Sequence, residues 1–317
     1  MRKLFPATVV VSLLLAGCGG ATSDAGESKP SAGSKGTVNL AINPWVGYES
    51  NAAVIEYLLE KKLGYTVELK NLKEEISWQG FETGEVDAIV ENWGHPDLKK
   101  TYIEDKKVAV EVGPTGNQGV IGWYVPQWMV DKYPDITDWK SLNKYADLFK
   151  TSESKGKGQF LAGDPSFVTN DAALVTNLKL NYKVVYSGSE AALIKAAQQA
   201  TAQKKPLLFY FYEPQWLFAK EKYARIKLPA YTAGCDADPK KVACDYPDYI
   251  LDKIVSKKFA DTNSPAFQLI KNFKWTNDDQ NLVSDYITNQ GMTAEAAGEK
   301  WVNEHEATWK PWIPATS

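Results

Sequence analysis

Six aromatic residues stand where core residues usually do not. Trp45 follows a proline in Asn-Pro-Trp-Val-Gly-Tyr, and Trp93 ends an apolar run in Glu-Asn-Trp-Gly-His-Pro. Trp123 and Tyr124 follow Gly-Val-Ile-Gly just ahead of a proline, and Tyr210 and Tyr212 end another apolar run before Glu-Pro-Gln-Trp. Ring faces are electronegative, so rings gathered at the mouths of strands can cage a cation that has no hydrogen to donate, such as a quaternary ammonium. A single tryptophan is more often core or rim packing, and this chain has eleven in 317 residues. Only the shared position of the set at strand ends points to binding. Trp78, Trp139, Trp275, Trp301 and Trp309 fall in helical or capping contexts and read as packing, as does Trp216, which should point into the second half of the molecule.

Reactive chemistry finds little support. The chain lacks Gly-x-Ser-x-Gly, His-Glu-x-x-His and any phosphate-cradling glycine loop. Its two histidines are His95 and His305, with no second His, Cys or carboxylate at metal spacing. No enzyme activity, metal or cofactor is therefore expected. His95 reads as a loop residue, close enough to Trp93 to reach a cleft. A site for an ordinary amino acid needs a cation for the α-carboxylate; the arginines are Arg2 and Arg225, the latter in a charged, surface-like stretch. No basic cluster suits nucleic acid.

The elements that position these residues alternate. Strands are expected at 37–42, 65–69, 86–90, 107–112, 119–125, 159–163, 183–186 and 206–212, and helices at 49–63, 77–83, 171–178 and 189–203. Ser189 suits the N-cap of the last of these. Beyond the final cysteine the chain reads as helical, at 265–273, 278–289 and 293–305. Repeated strand–helix units mean parallel sheets covered by helices. Two such series suggest an α/β protein of two lobes joined by crossing strands. Ligands in open α/β sheets bind beyond the carboxyl ends of strands, where the aromatic loops fall.

The first residues carry a different signal. Arg2 and Lys3, an apolar run at 9–15 and Leu15-Ala16-Gly17-Cys18 read as a secretory signal too short to span a bilayer. Leu-Ala-Gly-Cys resembles the bacterial lipobox, which implies cleavage before Cys18, acylation of its thiol and anchoring outside the cytoplasm. Residues 18–36, rich in Gly, Ser and Ala, read as a flexible tether. Loss of Arg2 and Lys3 takes the formal charge from −3 to −5, with 34 basic and 39 acidic side chains remaining. In an exported chain the remaining pair, Cys235 and Cys244, reads as a disulfide worth roughly 2–3 kcal/mol. The Asp-rich segment between them is not an EF-hand, because Lys241 stands where that loop needs glycine.

Pro44-Trp45, Gly84-Glu85-Val86-Asp87 running into Asn92-Trp93, the Trp123 strand, Gly163-Asp164-Pro165 and Tyr212-Glu213-Pro214-Gln215 together resemble one family. It comprises the substrate-binding lipoproteins of ABC importers for glycine betaine, choline and related quaternary ammonium compounds, carnitine and proline betaine among them. The resemblance implies a type II periplasmic-binding-protein fold, two doubly wound sheets joined by crossing strands. Lobe 1 would comprise 37–121 and 232–317, and lobe 2 would comprise 122–231. It implies a monomer that closes on a small cationic or zwitterionic solute, glycine betaine foremost, and delivers it to a permease driven by an ATPase.

Carried over by position, Trp45, Trp93, Trp123 and Tyr212 would form the cage. The polar anchors depart from the family. Its aromatic-Glu-Pro motif usually starts with Trp and ends with His; here Tyr212 and Gln215 hold those places. Gln215 can donate a hydrogen bond but carries no charge. Choline-binding members resemble Trp-x-Asp in the first loop, where this chain has Gly47. Glu49, two residues on, either compensates or occupies the first turn of a helix, where a negative side chain is favoured anyway. The N–H groups of Val46 and Gly47 lie where that helix begins, a natural anion site. Asn170 and Asp171 are second-lobe candidates for a polar contact, or an N-cap pair for the helix that follows.

Overall fold

The computed structural model describes residues 34–314; the signal sequence, Cys18 and most of the expected tether lie outside the described residues. Two parallel wings share one hydrogen-bonded sheet. In the first wing, β1 (Thr37–Ile42) pairs in parallel with β2 (Thr66–Asn71) and β3 (Ala88–Asn92). In the second, β5 (Gly158–Ala162) pairs in parallel with β6 (Tyr182–Tyr186) and β7 (Phe209–Glu213). β3 and most of β7 are buried along their length, as continuous apolar runs in a sheet covered on both faces should be.

The wings are joined by two long antiparallel strands. β4 (Ala109–Pro126) pairs with β9 (Asp248–Ser256) over its first part, and with β7 and β8 (Tyr223–Arg225) over its last. The order across the sheet is β2-β1-β3-β9-β4-β7-β5-β6. The α/β class and the crossing strands match expectation, but the two sheets are one continuous ladder. The segments expected at 107–112 and 119–125 are a single strand. Register shifts beside Pro114 absorb the interruption, and Gly113 and Gly116, both at positive φ, supply backbone that other residues rarely adopt.

β8 and β9 were not expected. β9 carries Asp252 and Lys253 side by side, a pair that argues against a central strand. Lys253 is 1% exposed and donates to the carbonyls of Lys271 and Phe273. Burial pulls it down to about 7.

Helices cover the sheet: α1 (Val46–Tyr57, extended by a wider turn to Lys62), α2 (Glu74–Thr83), α3 (Asp171–Asn177) and α4 (Glu190–Ala202). Ser189 caps α4 by accepting from the Ala192 N–H, as its position predicts. Three later helices are α5 (Pro265–Asn272), α6 (Asn277–Thr288) and α7 (Ala294–Glu304). The latter two return to pack on α1. Thr276 and Asp279 close a capping box at the start of α6. Trp78, Trp216, Trp275, Trp301 and Trp309 are buried. Cys235 and Cys244 are joined, with Cα atoms 6.3 Å apart. Among the described residues, no helix is long and apolar enough to cross a membrane.

Candidate functional site

Between the wings lies a narrow cavity of about 30 Å³, lined by Trp45, Trp93, Phe167, Tyr210, Tyr212, Ile121, Val168 and Glu74. Trp45 comes from the β1–α1 loop and Trp93 from the end of β3; Tyr210 and Tyr212 lie on one face of β7. The rings meet edge to face across the junction. Trp45 packs on Phe167 at 5.6 Å between centroids and Trp93 on Tyr212 at 5.5 Å. Such contacts suit the ring quadrupoles. By this measure the space holds about two waters, whereas a cavity that takes benzene measures about 150 Å³. A group of that size fits only if the walls separate and the ring–ring contacts part.

Three carboxylates organise the rings. Glu91, on β3 and 1% exposed, accepts both indole N–H groups on one oxygen, from Trp45 at 2.7 Å and Trp93 at 2.8 Å. Its other oxygen accepts from Asn51 and Gln280. Burial raises Glu91 to about 7, against the lowering effect of these donors. Glu74, at the start of α2, lines the cavity itself. It bonds His95 Nε2 at 2.8 Å and accepts the Val168 N–H at 3.2 Å from the opposite wing. Burial works against a charged His95, yet the Glu74 bond and charge prevail and hold its pKa above the usual value.

Glu190, the first residue of α4, accepts the Val46 N–H at 2.7 Å, Gln215 Nε2 at 2.7 Å and the Tyr212 hydroxyl. Burial raises its pKa despite these donors.

The expected site residues separate accordingly. Trp45, Trp93 and Tyr212 surround the cavity. Trp123 does not: it is 0% exposed, packs against Phe160 with the rings tilted and their centroids 4.3 Å apart, and donates to Asp171 at 2.7 Å. Ile121, two residues earlier on the same face of β4, reaches the cavity instead. Asp171 accepts from Trp123 and from the Tyr246 hydroxyl, and burial raises it to about 6. The Asn170 N–H donates to that same hydroxyl, and its side chain makes no cap bond. Neither Asn170 nor Asp171 lines the cavity, and their shared role is to fix Tyr246 and the start of α3.

Val46 and Gln215 contact Glu190. A Cβ at Gly47 would lie 2.4 Å from Gln280 Nε2, which is committed to Glu91, so a side chain there would have to displace that amide. Glu49 faces a neighbouring groove of about 370 Å³ with Val46, Ser189 and Glu190, not the ring cavity. His95 stands behind Glu74.

Sequence reasoning missed Phe167, Glu74, Glu91 and Glu190. Glu91 left one legible trace, an acid inside an apolar run, because a buried charge needs donors.

Solved structures share this architecture. Lactococcal OpuAC, in its closed-liganded conformation with glycine betaine, is 23% identical and covers 88% of this chain and 100% of that one, with a TM-score of 0.68. An ABC-transporter choline-binding protein in complex with choline is 17% identical, covering 87% and 91%, with a TM-score of 0.70. At these identities the likeness shows the fold, a type II periplasmic-binding-protein fold. The glycine betaine/carnitine transport binding protein GbuC of Listeria monocytogenes is 26% identical over 173 residues. That match takes in 55% of this chain and 51% of GbuC, so the chain spans about half the length of that relative. The family model for the substrate binding domain of ABC-type glycine betaine transport systems matches residues 36–304, and with five rings and a carboxylate converging between its two wings, the chain belongs to that family.

Proposed function

We propose that this chain captures a quaternary ammonium solute between its wings and hands it to the membrane permease of an ABC importer, outside the cytoplasm. The observation that carries this reading is the convergence of Trp45, Trp93, Phe167, Tyr210 and Tyr212 with Glu74 on one cavity. Residues 37–121 and 232–317 would move as one lobe and 122–231 as the other, so that closure completes the cage. Residues 1–17 would be removed and Cys18 lipidated, with 18–36 as the tether of a monomer. The Cys235–Cys244 disulfide is consistent with export.

The energetics fit. Each ring face contributes about 0.5–2 kcal/mol to a desolvated cation, and a micromolar dissociation constant corresponds to about 8 kcal/mol. The rings supply part of this, and Glu74 on the cavity wall and released water the remainder. Titration calorimetry with glycine betaine, choline, carnitine and proline betaine tests the reading. Heat of binding is expected with at least one of them. Silence with all four, alongside binding of an ordinary amino acid, overturns it.

A further inference from the structure

The donors that would suit a ligand carboxylate are already occupied by one from the chain itself. The Val46 N–H stands at the start of the twelve-residue helix α1, where the helix dipole favours an anion. Gln215 and Tyr212 add an amide and a phenol. All three converge on Glu190, which reaches Val46 from 144 residues away and is 7% exposed. This is not the ordinary first-turn acid of a helix, because its bonds go to α1, β7 and the loop after β7 and not to its own backbone.

The electrostatic surroundings point the same way. The charge of Glu49 acts on Glu190, and that of Glu190 on Glu91, and both are acidic. Glu74 contributes a further carboxylate to the cavity wall, with His95 as its partner. Among the described residues, no lysine or arginine lines the ring cavity. Arg225 is held by Asp245 and the Ile121 carbonyl. Tyr212 lines the ring cavity and donates to Glu190 on the adjoining groove, so a ligand carboxylate reaching past the rings would meet spent donors and like charge, whereas a bare cation would meet Glu74 on the cavity wall. Discrimination of this kind comes as much from what repels the rejected ligand as from what holds the accepted one.

Building on the proposed quaternary ammonium site, we infer that Glu190 is a specificity-determining residue. It stands in for the ligand's carboxylate and directs the site to quaternary ammonium cations that carry none, choline being the simplest natural type, and away from betaine zwitterions.

The test compares choline and tetramethylammonium with glycine betaine and carnitine by calorimetry, on the wild-type protein and on Glu190→Ala and Glu190→Gln. The readout is the ratio of affinities within each protein. Loss of the contact to Val46 weakens closure for every ligand alike, and the ratio cancels that loss. The wild type is expected to favour the carboxylate-free pair by roughly tenfold or more, on the scale of one charge-assisted hydrogen bond. Glu190→Ala should shift the ratio toward glycine betaine by a similar factor, because it frees the Val46, Gln215 and Tyr212 donors. Glu190→Gln should shift it the same way by less, and its near-identical volume covers the case in which the alanine variant does not fold. A wild type that prefers glycine betaine, with a ratio unchanged in folded variants, overturns the inference and leaves the proposed function standing. Failure of all four probes to bind the folded wild type overturns both.

Discussion

At the scale of single residues, Glu91 sets the site. One carboxylate oxygen receives the indole N–H groups of both Trp45 and Trp93, which ties together two rings from different loops without using their faces for hydrogen bonding. Burial holds this acid at about 7, so near neutral pH it is partly protonated. A cation bound against the rings favours the ionised form, so binding should release protons below about pH 7. Affinity should rise as pH passes from 6 to 8 and then level off. Calorimetry in two buffers of different ionisation enthalpy checks this, and identical heats in both would count against it. Trp93→Ala should weaken binding by about 1–3 kcal/mol through lost cation–π and packing contributions. Trp123→Phe should behave differently. It removes a buried bond to Asp171, so stability should fall by about 1–3 kcal/mol, while affinity should change no more than about threefold because the ring lies outside the cavity. Thermal melts and titrations of the two variants separate these roles.

At the scale of elements, local signals were legible and long-range ones were not. β1, α3 and α4 fall within a residue or so of their expected bounds, because apolar spacing and the Ser189 cap are written in neighbouring residues. The apolar run 206–212 announced β7. β9 stayed hidden because Asp252 and Lys253 interrupt it. Their partners are Lys99 and Asn92 for the one and the carbonyls of Lys271 and Phe273 for the other, all outside the strand. Trp45, Trp93 and Tyr212 were legible as rings at strand ends. Trp123 satisfied the same rule, and only the packing of β5 and α3 beneath it shows that it turns toward Phe160 and Asp171. Glu190 was beyond reach, since its meaning depends on a contact with Val46 across 144 residues. The loop between β8 and β9 gives a cleaner case, because Cys235 and Cys244 are near in sequence and joined in space. A thiol titration of the exported, unreduced protein should find no free thiol from this pair, and two titratable thiols would refute the bridge.

At the scale of the whole molecule, two wings are stitched by β4 and β9, strands that lie far apart in the chain. Contacts between the wings near the cavity are rings on rings, with the Glu74 bond to Val168 and the Glu190 bond to Val46 beside them. Motion that opens the cavity must release these while the crossing strands hold. The route from the second wing back to β9 runs through the cystine ring, where Lys240 and Lys241 are exposed. A protease that cuts after either lysine therefore severs the backbone but not the molecule. The sulfurs still tie the two fragments together, and β9 stays paired between β3 and β4, so nicked protein would keep its grip.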